Sequence, residues 1–177
     1  MSGSSRMRPA RCAAKIRRIT GSRLMKPEST SQAKLPPDKL SLTIFSGNFD
    51  RVHYALVMAS AAVAIGMPAT LFFTMAACRA LARPAADGTP GWHNMPAGDR
   101  LGNAGMMDAS LGEHGVAQFE ELLSACAELG ARFMVCELGM QAIGMSRNDL
   151  RDDIAIEETG AITFFGDASS TGAILFV

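Results

Sequence analysis

Short apolar runs of strand length alternate with helix-like segments from residue 42 to residue 177, and this alternation constrains the fold most. Branched and aromatic residues fill the runs, as is typical of buried β-strands. Strands that alternate with helices pair in parallel, because each helix returns the chain to the starting edge of the sheet. We therefore predict an α/β domain with an open, mostly parallel five-stranded sheet and helices on both faces. The predicted strands are 42–46, 69–73, 132–136, 154–156 and 173–177.

Helical periodicity and capping residues predict the connecting elements. The clearest is an amphipathic helix over 116–129, whose apolar face carries Val116, Phe119, Leu122, Leu123 and Cys126. Segment 162–165 favours a strand by propensity, but a parallel sheet requires a crossover there, so we expect a helix over 159–170. The other predictions are a helix capped by Asn48 or Asp50 that ends near Ile65, helical stretches over 76–83 and 137–145, and a capped turn over 146–150.

Residues 87–115 form the longest segment of the predicted folded domain without an assigned element. They are rich in Gly, Pro, Met and Asn. A connection of this length inside a compact domain is typical of a functional loop, a lid or local disorder.

The first 40 residues differ in charge from the rest of the chain. They carry ten of the 17 Lys and Arg residues but two of the 17 Asp and Glu residues, so the net charge of zero combines a basic segment with an acidic domain. Their scattered apolar residues predict a disordered tail over 1–39 and a folded domain over 40–177. A transit peptide or a nucleic-acid-binding arm is also Arg-rich and acid-poor, and a start at Met7 or Met25 would shorten the tail. We expect no nucleic-acid binding by the acidic domain.

The 25 residues from Tyr54 to Cys78 carry no charge and are long enough to cross a bilayer. However, Gly66-Met67-Pro68 interrupts them, and eight of them are Ala while two are Leu. A helix followed by a strand that is buried on both faces has the same lack of charge. We therefore expect a helix and a strand, with no stable membrane insertion.

The four cysteines show neither a C-x-x-C pair nor the spacing of a secreted disulfide framework. No secretory segment precedes them, so we expect free thiols in a reducing cytoplasm. Cys126 belongs to an apolar helix face, and Cys12 lies in the tail. The three histidines lack metal-ligand spacing, so we expect no metal site. The sequence also contains no Gly-rich motif of the kind that binds phosphate.

In an open parallel sheet, reactive groups collect outside the carboxyl ends of the strands. Ser46, Gly47 and Asn48 follow the first predicted strand, and Cys136 ends the third. Cys136 also begins a helix, whose free N–H groups favour a thiolate, whereas Glu137 beside it would disfavour one. A cysteine that fills a strand end as a small apolar residue is an equally good interpretation.

Three further residues could line a site around this cysteine. Cys78 follows the second strand and could approach the same edge, although an ordinary buried helix residue is the simpler interpretation. His114 could act as a base or proton donor, and Met140 could line an apolar pocket or fill a gap in the core.

Residues 133–140 read Phe-Met-Val-Cys-Glu-Leu-Gly-Met, and Ile143-Gly144-Met145 follows. This strand–cysteine–Met-rich turn resembles that of DsrE/DsrF/DsrH-like proteins, most closely the branch of DsrE-like sulfur carriers that is also labelled as peroxiredoxins. The runs 44–47, 69–74 and 175–177 fit the same pattern, so the resemblance spans about 40–177. It implies the DsrE-like fold, with flavodoxin-like layering.

The resemblance implies a sulfur-relay protein, either a sulfurtransferase or a sulfur carrier. Cys136 would take up sulfane sulfur as a persulfide or thiosulfonate and pass it to a partner thiol. Sulfur donor and acceptor proteins, a homo-oligomer and the absence of a bound cofactor follow as expectations. The alternatives are a non-catalytic oligomeric subunit or a small-molecule-binding protein of the same fold. A thiol peroxidase fits less well, because the T-x-x-C type motif is missing.

Overall fold

The computed structural model describes residues 36–98 and 102–177. A five-stranded sheet has the order β4-β3-β2-β1-β5, and every neighbouring pair is parallel. The predicted α/β fold with an open parallel sheet is therefore confirmed. The strands are β1 (Leu40–Ile44), β2 (Ala69–Phe73), β3 (Arg132–Cys136), β4 (Ile156–Thr159) and β5 (Ala173–Phe176).

Helical elements connect the strands. Residues 161–167 form a helix despite their strand propensity, because the parallel β4 and β5 require a crossover between them. The capped turn predicted over 146–150 is a single 3₁₀ turn. The helices are α1 (Phe49–Ala64), α2 (Ala104–Glu113), α3 (Phe119–Glu128), α4 (Glu137–Ala142) and α5 (Ala161–Asp167), with 3₁₀ helices at Met75–Leu81 and Arg147–Asp149.

Alternate strand residues face opposite sides of the sheet, which gives the domain three layers. Leu71 and Phe133 lie on the side of the main core, to which α1 and α3 contribute. Phe72 lies on the other side, where its ring stacks on that of Phe164 in α5 with centroids 4.9 Å apart. Helices therefore cover both faces, as predicted.

A polar cluster fixes the end of α5 to the sheet. The carboxylate of Asp167 accepts hydrogen bonds from Lys39 Nζ, Thr70 Oγ1 and Arg132, each at 2.7 Å. Partial burial raises the pKa of Asp167, but these hydrogen bonds outweigh burial and hold it below its ordinary value. Lys39 directly precedes β1, and Thr70 and Arg132 lie at the starts of β2 and β3. The carboxylate of Asp167 therefore connects α5 to the three central strands of the sheet.

The segment over 87–115 is more structured than expected. Helix α2 lies within it, and its N-cap is Asn103, whose side chain accepts from the backbone N–H of Met106 at 3.0 Å. Trp92 anchors the preceding turn, because its ring stacks on Phe49 and its Nε1 donates to Glu120 at 2.7 Å. The Asn cap was a local helix signal that the Gly-rich and Met-rich composition obscured.

Several boundaries and caps differ from the prediction; strand β1, for example, covers Leu40–Ile44 rather than 42–46. Asn48 occupies the N-cap of α1, but its side chain makes no cap hydrogen bond; the Arg51 N–H in the first turn instead donates to Oδ1 of Asp50, the other predicted capping residue, at 2.8 Å. Val116 lies before α3 and is 41% exposed, so the prediction that it belongs to the buried face of this helix was wrong. Strand β4 covers Ile156–Thr159 rather than 154–156. It extends past the apolar run because polar residues, including Glu157, also pair with β3.

The uncharged stretch forms α1, the strand β2 and the 3₁₀ helix Met75–Leu81. Gly66 adopts a φ of +79° in the turn between α1 and β2, a conformation that glycine adopts at no steric cost. Within residues 36–98 and 102–177, no helix combines the length and the apolar character needed to span a bilayer.

Most of the basic tail, residues 1–35, lies outside the described residues, so its expected disorder stays a prediction. The last residues of the segment contact the domain. Asp38 accepts hydrogen bonds from Ser169 and Thr171, which hold its pKa below the ordinary value, and Lys39 pairs with Asp167.

Candidate functional site

Cys136 lies where β3 ends and α4 begins. It is the N-cap residue of α4, and its Sγ accepts a hydrogen bond from the Gly139 N–H at 3.4 Å. An N–H group directed at sulfur stabilises negative charge there. The geometry therefore suits a thiol that reacts or leaves as a thiolate.

The pleat of the sheet sets the direction of Cys136. Val135 packs into the main core, so Met134 and Cys136 point to the face that α5 covers. There Cys136 belongs to an apolar cluster with Phe72, Met134 and Phe164, and it is 9% exposed. The cysteine is therefore largely enclosed at the edge of the second core.

The ends of β1, β2 and β3 meet tightly at this edge. A Cβ atom on Gly47 would stand 2.7 Å from Ala76 Cβ. A Cβ atom on Gly139 would stand 2.5 Å from both Met75 N and Thr74 Oγ1. Both positions thus require glycine, and the contacts connect the Ser46-Gly47-Asn48 turn with the loop that holds Cys136. Within that turn, Ser46 Oγ accepts from the Asn48 N–H at 3.2 Å.

Met75 is strained. Its φ of +51° is left-handed, and no other non-glycine residue of the described ranges has a positive φ. For an L-residue this conformation costs roughly 1–2 kcal/mol. Strained backbone is concentrated at functional sites, and this residue contacts the loop of Cys136 directly. Sequence reasoning missed Met75, because methionine gives no local signal of a left-handed backbone.

Cys78 lies below the same edge and is fully buried in the 3₁₀ helix Met75–Leu81. Its Sγ donates to Phe73 O at 3.7 Å. Burial, and then negative charge on Cys136, raise the pKa of Cys78 to about 12. Cys78 packs in the main core, whereas Cys136 packs in the separate cluster on the other face of the sheet, so its place in a site around Cys136 stays a prediction.

Cys126 lies in the core, as its helix face predicted. Its Sγ donates to Leu56 O at 3.6 Å, and burial raises its pKa to about 11. Cys126 therefore fills the core as a small apolar residue.

The other predicted residues lie around Cys136 or away from it. Met140 is buried in α4 and belongs to the main core. Glu137 is exposed and accepts from Gln141 Nε2 at 3.4 Å, so its carboxylate faces solvent. His114 is exposed at the end of α2, where Nδ1 contacts Ser110 O at 2.7 Å rather than Cys136.

Among the residues that the structure describes, no three or more His, Cys, Asp or Glu side chains group as metal ligands. A groove of about 670 Å³ opens at the other end of β3, and sequence reasoning did not anticipate it. Arg132, Arg147, Asp152 and Glu157 are its charged lining residues. Arg132 forms an ion pair with Glu157, and Arg147 donates to Ile156 O, so both guanidinium groups already bind residues of β4 in the groove lining.

Comparison with known proteins places these features in context. Residues 94–176 match the model of the DsrE/DsrF/DrsH-like family. The chain is 28% identical to sulfur carrier protein DsrE2 of Allochromatium vinosum, over 78% of this chain and 98% of that protein. It is 26% identical to the uncharacterized protein YrkE of Bacillus subtilis, over 78% of this chain and 96% of that protein.

A solved structure, the protein of unknown function MTH1491 from Methanobacterium thermoautotrophicum, matches with a TM-score of 0.49 and 13% identity. The match covers 78% of this chain and 98% of that one. The family match includes β3, Cys136 and α4, the segment on which the sequence resemblance rested. Over residues 94–176 the chain is thus similar to the DsrE/DsrF/DrsH-like family, and over most of its length it is similar to a protein named as a sulfur carrier.

Proposed function

We propose that this protein is a sulfur carrier or sulfurtransferase in which Cys136 takes up sulfane sulfur as a persulfide or thiosulfonate and passes it to a partner thiol. The hydrogen bond from the Gly139 N–H to Cys136 Sγ carries the proposal. The match of residues 94–176 to the family model and the similarity to a protein named as a sulfur carrier support the same role. A carrier of this kind requires a reduced thiol, so we propose a cytoplasmic location.

Uptake needs one nucleophilic sulfur and a donor. With thiosulfate, the Cys136 thiolate attacks the outer sulfur, the donor S–S bond breaks, and sulfite leaves with the electron pair. The Gly139 N–H stabilises the thiolate before attack. In delivery the roles are reversed. An acceptor thiolate attacks the outer sulfur, and Cys136 leaves as a thiolate that the Gly139 N–H stabilises.

The surroundings of Cys136 suit a stored persulfide. Phe72 and Phe164 enclose the sulfur on the side of α5, and the residue is 9% exposed. Enclosure limits attack by small thiols, whereas a partner that docks at the edge can reach the outer sulfur. Exposed Glu137 and Leu138 begin α4 at this edge and would meet such a partner first.

Exposed apolar side chains near α5 support the proposal that the protein binds partner proteins and forms a homo-oligomer. Ile174 and Phe176 lie in register with Ser41 and Thr43, on the face that α5 covers. The ring of Phe176 lies 5.6 Å from that of Phe45, and Phe165 of α5 is 63% exposed. A clustered apolar surface of this kind is typical of protein–protein contacts. We therefore propose that this surface binds further copies of the chain.

A non-catalytic subunit is the second candidate. The enclosure of Cys136 among Phe72, Met134 and Phe164 favours it, because a small cysteine also fills an apolar gap well. The two candidates differ in whether the sulfur reacts.

Intact-protein mass spectrometry tests the proposal. The reduced protein is incubated with thiosulfate, tetrathionate or inorganic polysulfide, beside Cys136→Ser and Cys126→Ala variants. We expect a reductant-sensitive adduct of one sulfur atom or one thiosulfonate group in the wild type and in Cys126→Ala, but not in Cys136→Ser. Unmodified protein with every donor, together with slow alkylation of Cys136, would contradict the carrier and support the subunit.

A further inference from the structure

Thr74 is a half-buried hydroxyl residue beside Cys136 that the proposed sulfur transfer leaves unused. It directly follows Phe73, which pairs in register with Val135, and Cys136 directly follows Val135. The Thr74 backbone is extended, with φ −141° and ψ 158°, and its N–H donates to Ile44 O at 3.0 Å. Thr74 therefore extends β2 by one residue and lies next to Cys136 on the neighbouring strand, since neighbouring strands are about 4.8 Å apart.

The side chain of Thr74 points to the same face of the sheet as the sulfur. Phe72 and Cys136 both belong to the apolar cluster under α5. Because side chains alternate along an extended chain, Thr74 shares the face of Phe72. Thr74 Oγ1 would stand 2.5 Å from a Cβ atom on Gly139, and the Gly139 N–H donates to Cys136 Sγ at 3.4 Å. The hydroxyl and the sulfur thus flank the same glycine.

The hydroxyl lies where a stored sulfur atom has to go. The Thr74 side chain makes no cap hydrogen bond to the 3₁₀ helix that follows it. A persulfide extends Cys136 by an S–S bond of about 2 Å, and the outer sulfur carries the negative charge. Phe72 and Phe164 form an apolar wall on the side of α5. Because a charge held against apolar groups without a hydrogen bond is costly, the outer sulfur turns towards the hydroxyl.

We propose that the Thr74 hydroxyl donates a hydrogen bond to the outer sulfur of the Cys136 persulfide and stabilises the stored sulfur. This inference rests on the proposed function, since the persulfide is the group that the hydroxyl binds. The two donors act on different atoms: the Gly139 N–H stabilises the inner sulfur, and the hydroxyl stabilises the outer one. Thr74 keeps its proton, so uptake from thiosulfate still yields one persulfide and one sulfite.

This contact exists only when the cysteine carries sulfur. Thr74 therefore shifts the equilibrium between thiosulfate and the persulfide, in which the thiolate and thiosulfate exchange for the persulfide and sulfite. It has little effect on the unloaded thiol, whose sulfur binds the Gly139 N–H. Loss of one hydrogen bond to a charged sulfur should lower the equilibrium constant of loading about tenfold.

The test measures this equilibrium in the full chain. Cys12, which lies outside the described residues, is replaced by alanine in every variant so that its thiol does not contribute. Each variant is loaded with inorganic polysulfide, freed of donor, and kept at a fixed ratio of thiosulfate to sulfite until the fraction with one added sulfur atom is constant. Intact mass gives that fraction, and only the adduct that a Cys136→Ser variant lacks is counted.

Thr74→Val removes the hydroxyl and keeps the branched shape, whereas Thr74→Ser keeps the hydroxyl. Thr43→Val is the matched control, because Thr43 is also half-buried and lies in register with Phe72, on the same face of the sheet. We expect an equilibrium constant about tenfold lower in Thr74→Val and values within about twofold of the wild type in the other two. Iodoacetamide should alkylate the unloaded Cys136 thiol at nearly the same rate in all of them.

Equal constants in the wild type and Thr74→Val would overturn the role of the hydroxyl and leave the carrier intact. An equal loss in Thr74→Ser or in Thr43→Val, or a matching change in the alkylation of the unloaded thiol, would overturn it as well. Absence of any adduct on the wild type would overturn both proposals. Should urea unfolding show that Thr74→Val does not fold, Thr74→Ser against Thr74→Ala gives the same comparison, because these two variants differ only in the hydroxyl.

Discussion

Gly139 lies against the backbone of Met75 so closely that a Cβ atom on Gly139 would stand 2.5 Å from Met75 N. The same glycine donates its N–H to Cys136 Sγ. One contact thus joins the end of β2, the start of α4 and the candidate reactive sulfur. The position of Cys136 therefore depends on a residue with no side chain.

Gly139→Ala is expected to displace this contact. The new methyl group meets the backbone of Met75 and Thr74 Oγ1, so the loop must move, at a cost of about 1–3 kcal/mol in the free energy of unfolding. The N–H to sulfur hydrogen bond shifts as well, so alkylation of Cys136 should slow. Urea unfolding and the rate of iodoacetamide reaction measure the two effects.

Gly166→Ala in α5 is the matched control, because a Cβ at Gly166 meets no atom within 4 Å. This variant should keep or slightly increase the stability. Equal effects of the two substitutions would show that the contact between Gly139 and Met75 is unimportant.

Met75→Gly should be more stable than Met75→Ala by about 1 kcal/mol. Both substitutions remove the half-buried side chain, so their difference reports the left-handed φ of +51° rather than lost packing. At an ordinary helical position, alanine would instead be the more stable residue. Urea denaturation of both variants measures the difference, and a more stable alanine variant would show that the backbone is not strained.

Stability should fall at alkaline pH because of the two buried thiols. Cys78 and Cys126 have pKa values raised from 9.0 to about 12 and about 11, so their thiols are protonated in the folded chain while those of the unfolded chain ionise. Their contribution is complete below about pH 9 and is lost as the pH rises towards the folded values. At pH 10, ionisation of each thiol in the unfolded chain should lower the free energy of unfolding by about 1.4 kcal/mol relative to neutral pH.

Urea unfolding at about pH 8 and about pH 10 checks this dependence. Cys78→Ala and Cys126→Ala should each reduce the alkaline loss, and the double variant should remove most of the part due to thiols. An unchanged loss in the double variant would assign the effect to other groups.

The exposed apolar surface near α5 should control assembly. Phe176→Glu places a charge beside Phe45 and next to Ile174, so an oligomer that buries this surface should dissociate. Ile65→Glu is the matched control: Ile65 is 76% exposed and Phe176 71%, but Ile65 follows α1. Sedimentation velocity measures the mass of each variant. A monomeric wild-type chain, or dissociation by both substitutions, would contradict the proposed surface.

The strand and helix order could be predicted from the sequence because each signal is local. The strands β2 and β3 contain the apolar runs 71–73 and 133–136, and the face of α3 repeats at helical spacing from Phe119 to Cys126. The elements that were shifted or missed, β4 and α2, carried weaker local signals. β4 is polar at Glu157 and Glu158, and the Gly and Met content around α2 concealed the cap at Asn103.

By itself, the sequence determined that Cys136 ends a strand and begins a helix, because that boundary depends on neighbouring residues. The tertiary structure alone decided what surrounds the sulfur. The packing of Cys136 with Phe72 and Phe164 and the contact between Gly139 and Met75 join residues far apart in the chain. Such contacts depend on the order and register of β2 and β3, which no local pattern of residues encodes.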